Sequence, residues 1–284
     1  MKIIEGVQEM QRAADGLRRQ GKRIGVVPTM GYLHDGHLSL IKIARQHADI
    51  VVTTIFVNPT QFGPNEDFTK YPRDLERDKK LTASVGTDIL FVPSIVSMYP
   101  DHYHTYVTVG QLTEVLEGQF RPTHFRGVTT VVAKLFTITK PHVAVFGQKD
   151  AQQAVVIKQM VRDLNFDIVI IVAPIVRDND GLAMSSRNVY LSSSERVQSS
   201  VLFRSLQRAE ELIDRGEHRS PIIISEMTKL IISQPSARID YISLAEPATL
   251  NEVTTMRSGE TVLISLAVRI GTARLIDNIL KVVP

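Results

Sequence analysis

The sequence predicts an α/β protein: a doubly wound parallel sheet followed by a smaller α+β unit. Three observations carry this. Continuous apolar runs of strand length alternate with helical patterns as far as Pro174. They are continuous rather than alternating, as in strands buried on both faces of a parallel sheet. Beyond Pro174 the order changes, with helical segments first and strand segments last.

In chain order, IGVVP (24–28) reads as a strand and HLSLIKIARQHA (37–48) as a helix. IVVTTIFV (50–57), DILFVP (88–93) and HVAVFG (142–147) read as strands. AQQAVVIKQMVRDL (151–164) has helical spacing, and FDIVIIVAP (166–174) is a further strand. Strand-helix alternation of this kind implies right-handed crossovers. RDNDGLAMSSRNVYLSSSE (177–195) reads as a polar loop. SSVLFRSLQRAEELID (199–214) and ISEMTKLII (224–232) read as helices. RIDYISLAE (238–246), TVLISLAVRI (261–270) and ARLIDNILKVV (273–283) read as strands. This places the boundary near 175, with domains 1–175 and 176–284.

Composition narrows the class. The chain has 284 residues, 43% hydrophobic and 22% charged, as in a globular protein. No apolar stretch approaches the ~18 residues a membrane span requires. The start, MKIIEGVQEMQRAADGLRRQ, turns polar within a few residues, unlike a secretory signal. Without cysteine there is no disulfide, thiolate metal site or thioester intermediate. A cytoplasmic location is the simplest expectation. With 33 basic and 30 acidic residues, the formal charge of +3 does not by itself suggest nucleic acid. Arg18, Arg19, Lys22 and Arg23 read as a solvated helix end.

The most informative stretch is TMGYLHDGH (29–37), between a strand and a helix. A helix start leaves amide N–H groups free and carries partial positive charge, which suits phosphate. Gly31 and Gly36 let a ligand approach the backbone. His34 and His37, one helical turn apart, can both donate to phosphate oxygens. This end of an open α/β sheet is also where ligands bind. One histidine here would be an ordinary surface residue; H-x-G-H after a strand is far more specific.

This turn resembles the H-x-G-H signature of the nucleotidyltransferase superfamily, which includes class I aminoacyl-tRNA synthetases and cofactor-synthesis adenylyltransferases. Five segments follow in order: PTMGYLHDGH, FVNPTQFGPNEDFTKYPR, RPTHFRGVTTVVAKLF, FGQKDAQQ and GLAMSSRNVYL. Together they resemble the pantothenate synthetase (pantoate–β-alanine ligase) family, from residue 24 to the final ARLIDN. The resemblance implies a Rossmann-like fold and a homodimer, with TTVVAKLFTI (129–138) either an apolar contact surface or an ordinary buried helix. It implies ATP along Met30, Gly31, Tyr32, Leu33, His34, Asp35, Gly36 and His37. Gln148 is a departure, where the family commonly has an acidic residue.

The other motifs add chemistry. In FGQKD (146–150), Gly147 permits close backbone approach and Lys149 offers a compact mobile charge for phosphate. Asp150 either caps the next helix or holds a ribose hydroxyl. The resemblance gives Lys149 the α-phosphate and pantoate, and extends the ATP site over Gly147, Gln148, Lys149 and Asp150. In MSSRN (184–188), hydroxyls and an arginine suit phosphates. By resemblance Met184, Ser185, Ser186 and Arg187 close over the triphosphate, and the Val176 backbone meets adenine. Gln61 and Gln153 offer amides to a hydroxy acid, and the resemblance assigns both to pantoate. GPNEDFTKYPR (63–73) is then a mobile gate, and Arg121 and Arg126 lie in another loop near the site. No H-E-x-x-H, carboxylate cluster or calcium loop marks a protein metal site. The expected Mg²⁺ is held mainly by ATP phosphates and water.

The implied reaction is adenylation of pantoate followed by attack of β-alanine, with His34, His37, Lys149 and Arg187 as the catalytic set. The nearest alternative is another adenylyltransferase of the same superfamily. A tRNA synthetase fits less well, because no anticodon-binding domain or basic RNA surface is evident in the 284 residues. A noncatalytic nucleotide- or RNA-binding module fits the pI of about 9.1 but does not need so many phosphate-directed groups.

Overall fold

The computed structural model describes residues 1–64 and 66–284. Asn65, in the expected gate, lies outside the described residues. The chain opens with β1 (Lys2–Ile4), α1 (Val7–Arg19) and β2 (Ile24–Thr29), then α2 (Asp35–His47) and β3 (Ile50–Ile55). α3 (Leu75–Ser84), β4 (Ile89–Phe91), α4 (Ile95–Met98), α5 (Glu117–Phe120) and α6 (His124–Thr139) follow. β5 (Val143–Gly147), α7 (Ala151–Asp163) and β6 (Val169–Ala173) complete the first part. The sheet runs β1-β4-β3-β2-β5-β6 with all neighbours parallel. This is the doubly wound parallel sheet that the alternation predicts, Rossmann-like as the resemblance implies.

Strand order reverses between β2 and β5: β3 and β4 lie to one side of β2, β5 and β6 to the other. The carboxyl ends of β2 and β5 therefore flank the crevice where such sheets bind ligands. Both faces are covered. On one, α1, α6 and α7 contribute Met10, Phe136 and Ile157 to a core with Val26 and Phe91. On the other, Leu38, Ile41 and Ala44 of α2 pack over Val27, Val51 and Val145.

After β6 the chain forms α8 (Ser193–Ser199), α9 (Val201–Asp214) and α10 (Ser220–Ile232), then β7 (Ala237–Ala245), β8 (Thr261–Ile270) and β9 (Ala273–Val282). The strands form an antiparallel sheet in the order β7-β8-β9. It has its own core, with Leu206, Ile213, Met227 and Ile231 against Ile264, Leu266 and Val268. A small apolar cluster of Leu116, Ala151, Leu250 and Leu263 joins the two sheets' surroundings.

Several expectations need correction. The polar loop 177–195 holds a 3-10 turn at Ser186–Tyr190 and the start of α8, where Ser192 and Glu195 form a capping box. Arg126 is not in a loop; it stands on the first turn of α6, exposed and stacked 4.4 Å from the Tyr106 ring. TTVVAKLFTI is core rather than a free apolar surface, since Thr129–Ala133, Leu135, Phe136 and Ile138 are buried within the chain.

Candidate active site

The site grows from the turn after β2. Gly31 takes φ +82°, a conformation that glycine adopts without strain. Asp78 of α3, 1% exposed, accepts the Tyr32 amide at 2.7 Å and the Leu33 amide at 2.8 Å. Leu33 is fully buried, so its side chain anchors the turn rather than facing ligand. α2 then begins at Asp35 with His34 as N-cap. The His37 Nδ1 accepts the His34 amide at 3.3 Å, which leaves the ring proton on Nε2. The two rings lie 4.0 Å apart, tilted by 44°. A Cβ on Gly36 would come within 2.9 Å of the His34 ring, so this glycine makes room for a histidine as well as for ligand.

Both histidines are neutral at pH 7. Burial, then the nearby Lys149 ammonium, pulls His34 down to about 4. Burial, then His34 and Lys149, holds His37 well below the ordinary imidazole value. They are therefore hydrogen-bonding dipoles rather than cations. The Nδ1 of His34 is buried without a partner.

The turn after β5 forms the opposite wall. Gln148–Asp150 make a single 3-10 turn leading into α7. The Lys149 ammonium stands 3.8 Å from the Asp150 carboxylate. Asp150 is the N-cap of α7 yet makes no side-chain cap bond, so of its two expected roles the cap is not taken. The Gln148 side chain points to β9, donating to Asn278 Oδ1 at 2.9 Å.

The third wall comes from the segment after β6. The Val176 carbonyl accepts the Met184 amide at 3.0 Å, which folds MSSR back over the first turn. Ser186 Oγ donates to the Tyr32 carbonyl at 3.1 Å. Arg187 donates to Asp67 through Nε at 2.9 Å and Nη2 at 3.0 Å, and lies 5.5 Å from the Tyr71 ring. Burial opposes the Asp67 charge, but the Arg187 bonds outweigh it and hold the carboxyl below its usual range. Arg121 grips the neighbouring Glu66 through Nε at 2.8 Å and Nη2 at 2.7 Å. The segment expected as a gate is thus latched by two arginines.

These walls enclose a cleft with about 830 Å³ of empty space, open solvent included. Met30, His34, Gly36, His37, Gly147, Lys149, Asp150, Gln153, Val176, Met184, Ser185, Ser186 and Arg187 all line it. Gly31, Tyr32, Leu33, Asp35 and Gln148 shape its walls without lining it. Gln61 is buried just beyond, behind Met30, whose Sδ accepts its Nε2 at 3.2 Å, while Asn58 donates to its Oε1 at 3.1 Å. His124, a residue sequence reasoning passed over, has its Nδ1 3.0 Å from the Gln61 carbonyl. Asp78 and Asn278 were also passed over. Asp78 sits in the charged run DLERDKK, where nothing singles out one carboxylate, but Asn278 ends the ARLIDN segment that closed the resemblance.

Residues 2–280 match the pantoate-beta-alanine ligase family. The chain belongs to that family. Similar sequences include the pantothenate synthetase of Acetivibrio thermocellus, 54% identical over 99% of this chain and 99% of that one. That of Syntrophobacter fumaroxidans is 55% identical over 98% of each. Among solved structures, a pantothenate synthetase from Thermus thermophilus superposes with a TM-score of 0.92 at 44% identity, covering 98% of this chain and 99% of that one. The pantoate-beta-alanine ligase of Francisella tularensis, complexed with beta-gamma ATP and beta-alanine, gives 0.80 at 37% identity, with coverage of 99% and 97%.

Proposed function

We propose that this cleft condenses (R)-pantoate with β-alanine in two steps, consuming ATP and releasing AMP and pyrophosphate through a pantoyl adenylate. The observation that carries the reading is convergence. Three phosphate-directed segments, 30–37, 147–150 and 184–187, meet at the sheet's switch point around one cleft.

The pantoate carboxylate arrives ionised, since carboxyl pKa values lie near ~4, so no general base is needed. It attacks the α-phosphorus of ATP in line and pyrophosphate leaves. The protein contributes position and charge stabilisation. Lys149 meets the α-phosphate as a point charge, and His34 and His37 donate from neutral rings. Ser185, Ser186 and the freed amides at the start of α2 take further phosphate oxygens. Arg187 exchanges the Asp67 carboxylate for the β- and γ-phosphates, which couples nucleotide binding to the 63–73 segment. Gln61, whose amide N–H rests on a weak thioether acceptor, and Gln153 orient pantoate. The β-alanine amine then attacks the acyl carbon and AMP departs. The adenylate is sensitive to water, and the gate and the MSSR segment cover it.

Asp67 is committed to Arg187 and Asp78 to backbone amides. Among the described residues no cluster of three metal-ligating side chains occurs. Mg²⁺ enters with the nucleotide, held mainly by its phosphates and water. We further propose the division 1–175 and 176–284, with the smaller unit closing over ATP. The same reading makes the enzyme a cytoplasmic homodimer that binds neither nucleic acid nor membrane. With ATP, pantoate and β-alanine, the products are pantothenate, AMP and pyrophosphate. ADP and phosphate, or turnover with a different acid but not pantoate, would overturn the reading.

A further inference from the structure

ARLIDN (273–278) lies on β9, which among the described residues is an edge strand paired with β8. Its last two residues reach the segments behind two of the cleft's three walls. Asn278 is 2% exposed. Its Nδ2 donates to the Gln148 carbonyl at 2.9 Å and the Lys149 carbonyl at 3.0 Å. Its Oδ1 accepts from Gln148 Nε2 at 2.9 Å. Both amide protons and the amide oxygen are thus used on the turn that carries Lys149. Asp277 accepts from Arg177 Nη1 at 2.5 Å and Nη2 at 2.9 Å, and Arg177 directly follows Val176. One dipeptide of the small sheet therefore ties down the segments on two sides of the nucleotide cleft.

We infer that Asn278 is a positioning residue for the reaction, fixing the Lys149 turn from outside the parallel sheet. The inference rests on the part given to Lys149 above. Only an amide satisfies this place. Two carbonyl oxygens need two donors, while the Gln148 amide needs an acceptor. Aspartate keeps the acceptor but sets a carboxylate against two carbonyl oxygens. Alanine leaves all three half-buried groups without their partner. Without the brace the short turn is free to shift, and a displacement of about 1 Å at a reacting group can cost on the order of 10² in rate.

The test is a double-variant cycle on the full chain, reading steady-state pyrophosphate release from ATP, pantoate and saturating β-alanine. Asn278→Ala and Asn278→Asp should each lower kcat by roughly 10-fold or more, with KM for pantoate held within about twofold. Asn278→Asp should be at least as slow, although it keeps the contact to Gln148. In a Lys149→Ala background, Asn278→Ala should add no further loss, because the group it positions is gone. If Asn278→Ala does not fold, Asn278→Ser, which retains one donor, takes its place in the cycle. Wild-type kcat in the Asn278 variants, or losses that multiply in the double variant, overturn the inference while a slow Lys149→Ala leaves the proposed function standing. A Lys149→Ala enzyme with wild-type turnover brings down the part given to Lys149, and the inference with it.

Discussion

At the scale of single residues, the sharpest physical feature is that His34 and His37 are uncharged. The H-x-G-H spacing tells of two imidazoles at a helix start but not of their charge. That follows from burial and from Lys149, which the fold brings in from far along the chain. A neutral ring whose Nδ1 is an acceptor can present only Nε2–H to phosphate. His37→Ala should fold and lose ~10²–10³ in turnover, the usual cost of one charge-stabilising donor. His37→Gln, which keeps a neutral donor, should recover a large part of that. Steady-state kinetics on the two variants checks this, and equal loss in both would mean that the ring acts otherwise than as a donor. Other residues were illegible for a plain reason. Asp78 reads as one more surface charge until α3 folds against the turn and its carboxylate finds two amides. The resemblance counts Gln148 into the ATP site between Gly147 and Lys149, yet its side-chain partner lies 130 residues on.

At the scale of elements, the latched 63–73 segment is the feature most open to test. Glu66 and Asp67 hold Arg121 and Arg187, and Tyr190 adds a bond from its hydroxyl to the Lys70 carbonyl at 3.1 Å. Asp67→Ala removes the carboxylate that competes with phosphate for Arg187 and also loosens the cover. ATP should bind more tightly. Pyrophosphate release without β-alanine should rise several-fold, as adenylate escapes to water. Calorimetry and a pyrophosphate assay read the two effects, and weaker ATP binding with unchanged release would contradict the account. The major strands and α2 were plain in the sequence because continuous apolar runs and 3.6-residue spacing are local signals. DILFVP shortened to Ile89–Phe91 because a proline ends its ladder. α3 was missed because its polar residues outweigh its apolar ones, and of α1, which buries Met10 and Ala14, only the charged end was read. The gate's latches join residues 55 and 120 positions apart, which no local pattern carries.

At the scale of the whole molecule, the buried imidazoles set a pH dependence. Burial lowers His124 to about 3, and His34 lies at about 4. In the unfolded chain each takes a proton near pH ~6.5. Their stabilising contribution is therefore complete above about pH 6.5 and is lost as pH falls toward the folded values. For His124 alone the loss between pH 7 and pH 5 is about 2 kcal/mol. Asp78 and Asp277, raised by burial, work in the opposite sense nearer the carboxylate range. Urea denaturation at pH 7 and pH 5 should show the fall in stability, and His124→Gln should lessen it; equal losses in both proteins would contradict the assignment. The two-part architecture was legible because the order of elements changes at Pro174. How β9 reaches back to the Lys149 turn was not, since that is a property of packing between the parts. The central claim is that one cleft adenylates pantoate, and oxygen-18 in the pantoate carboxylate tests it most directly. With ATP and no β-alanine, the enzyme should release about one pyrophosphate per site and then stall. Adding β-alanine should deliver the label to AMP, because the carboxylate oxygen bridges to the α-phosphorus. Label in pyrophosphate, or release of ADP and labelled phosphate, would contradict the account.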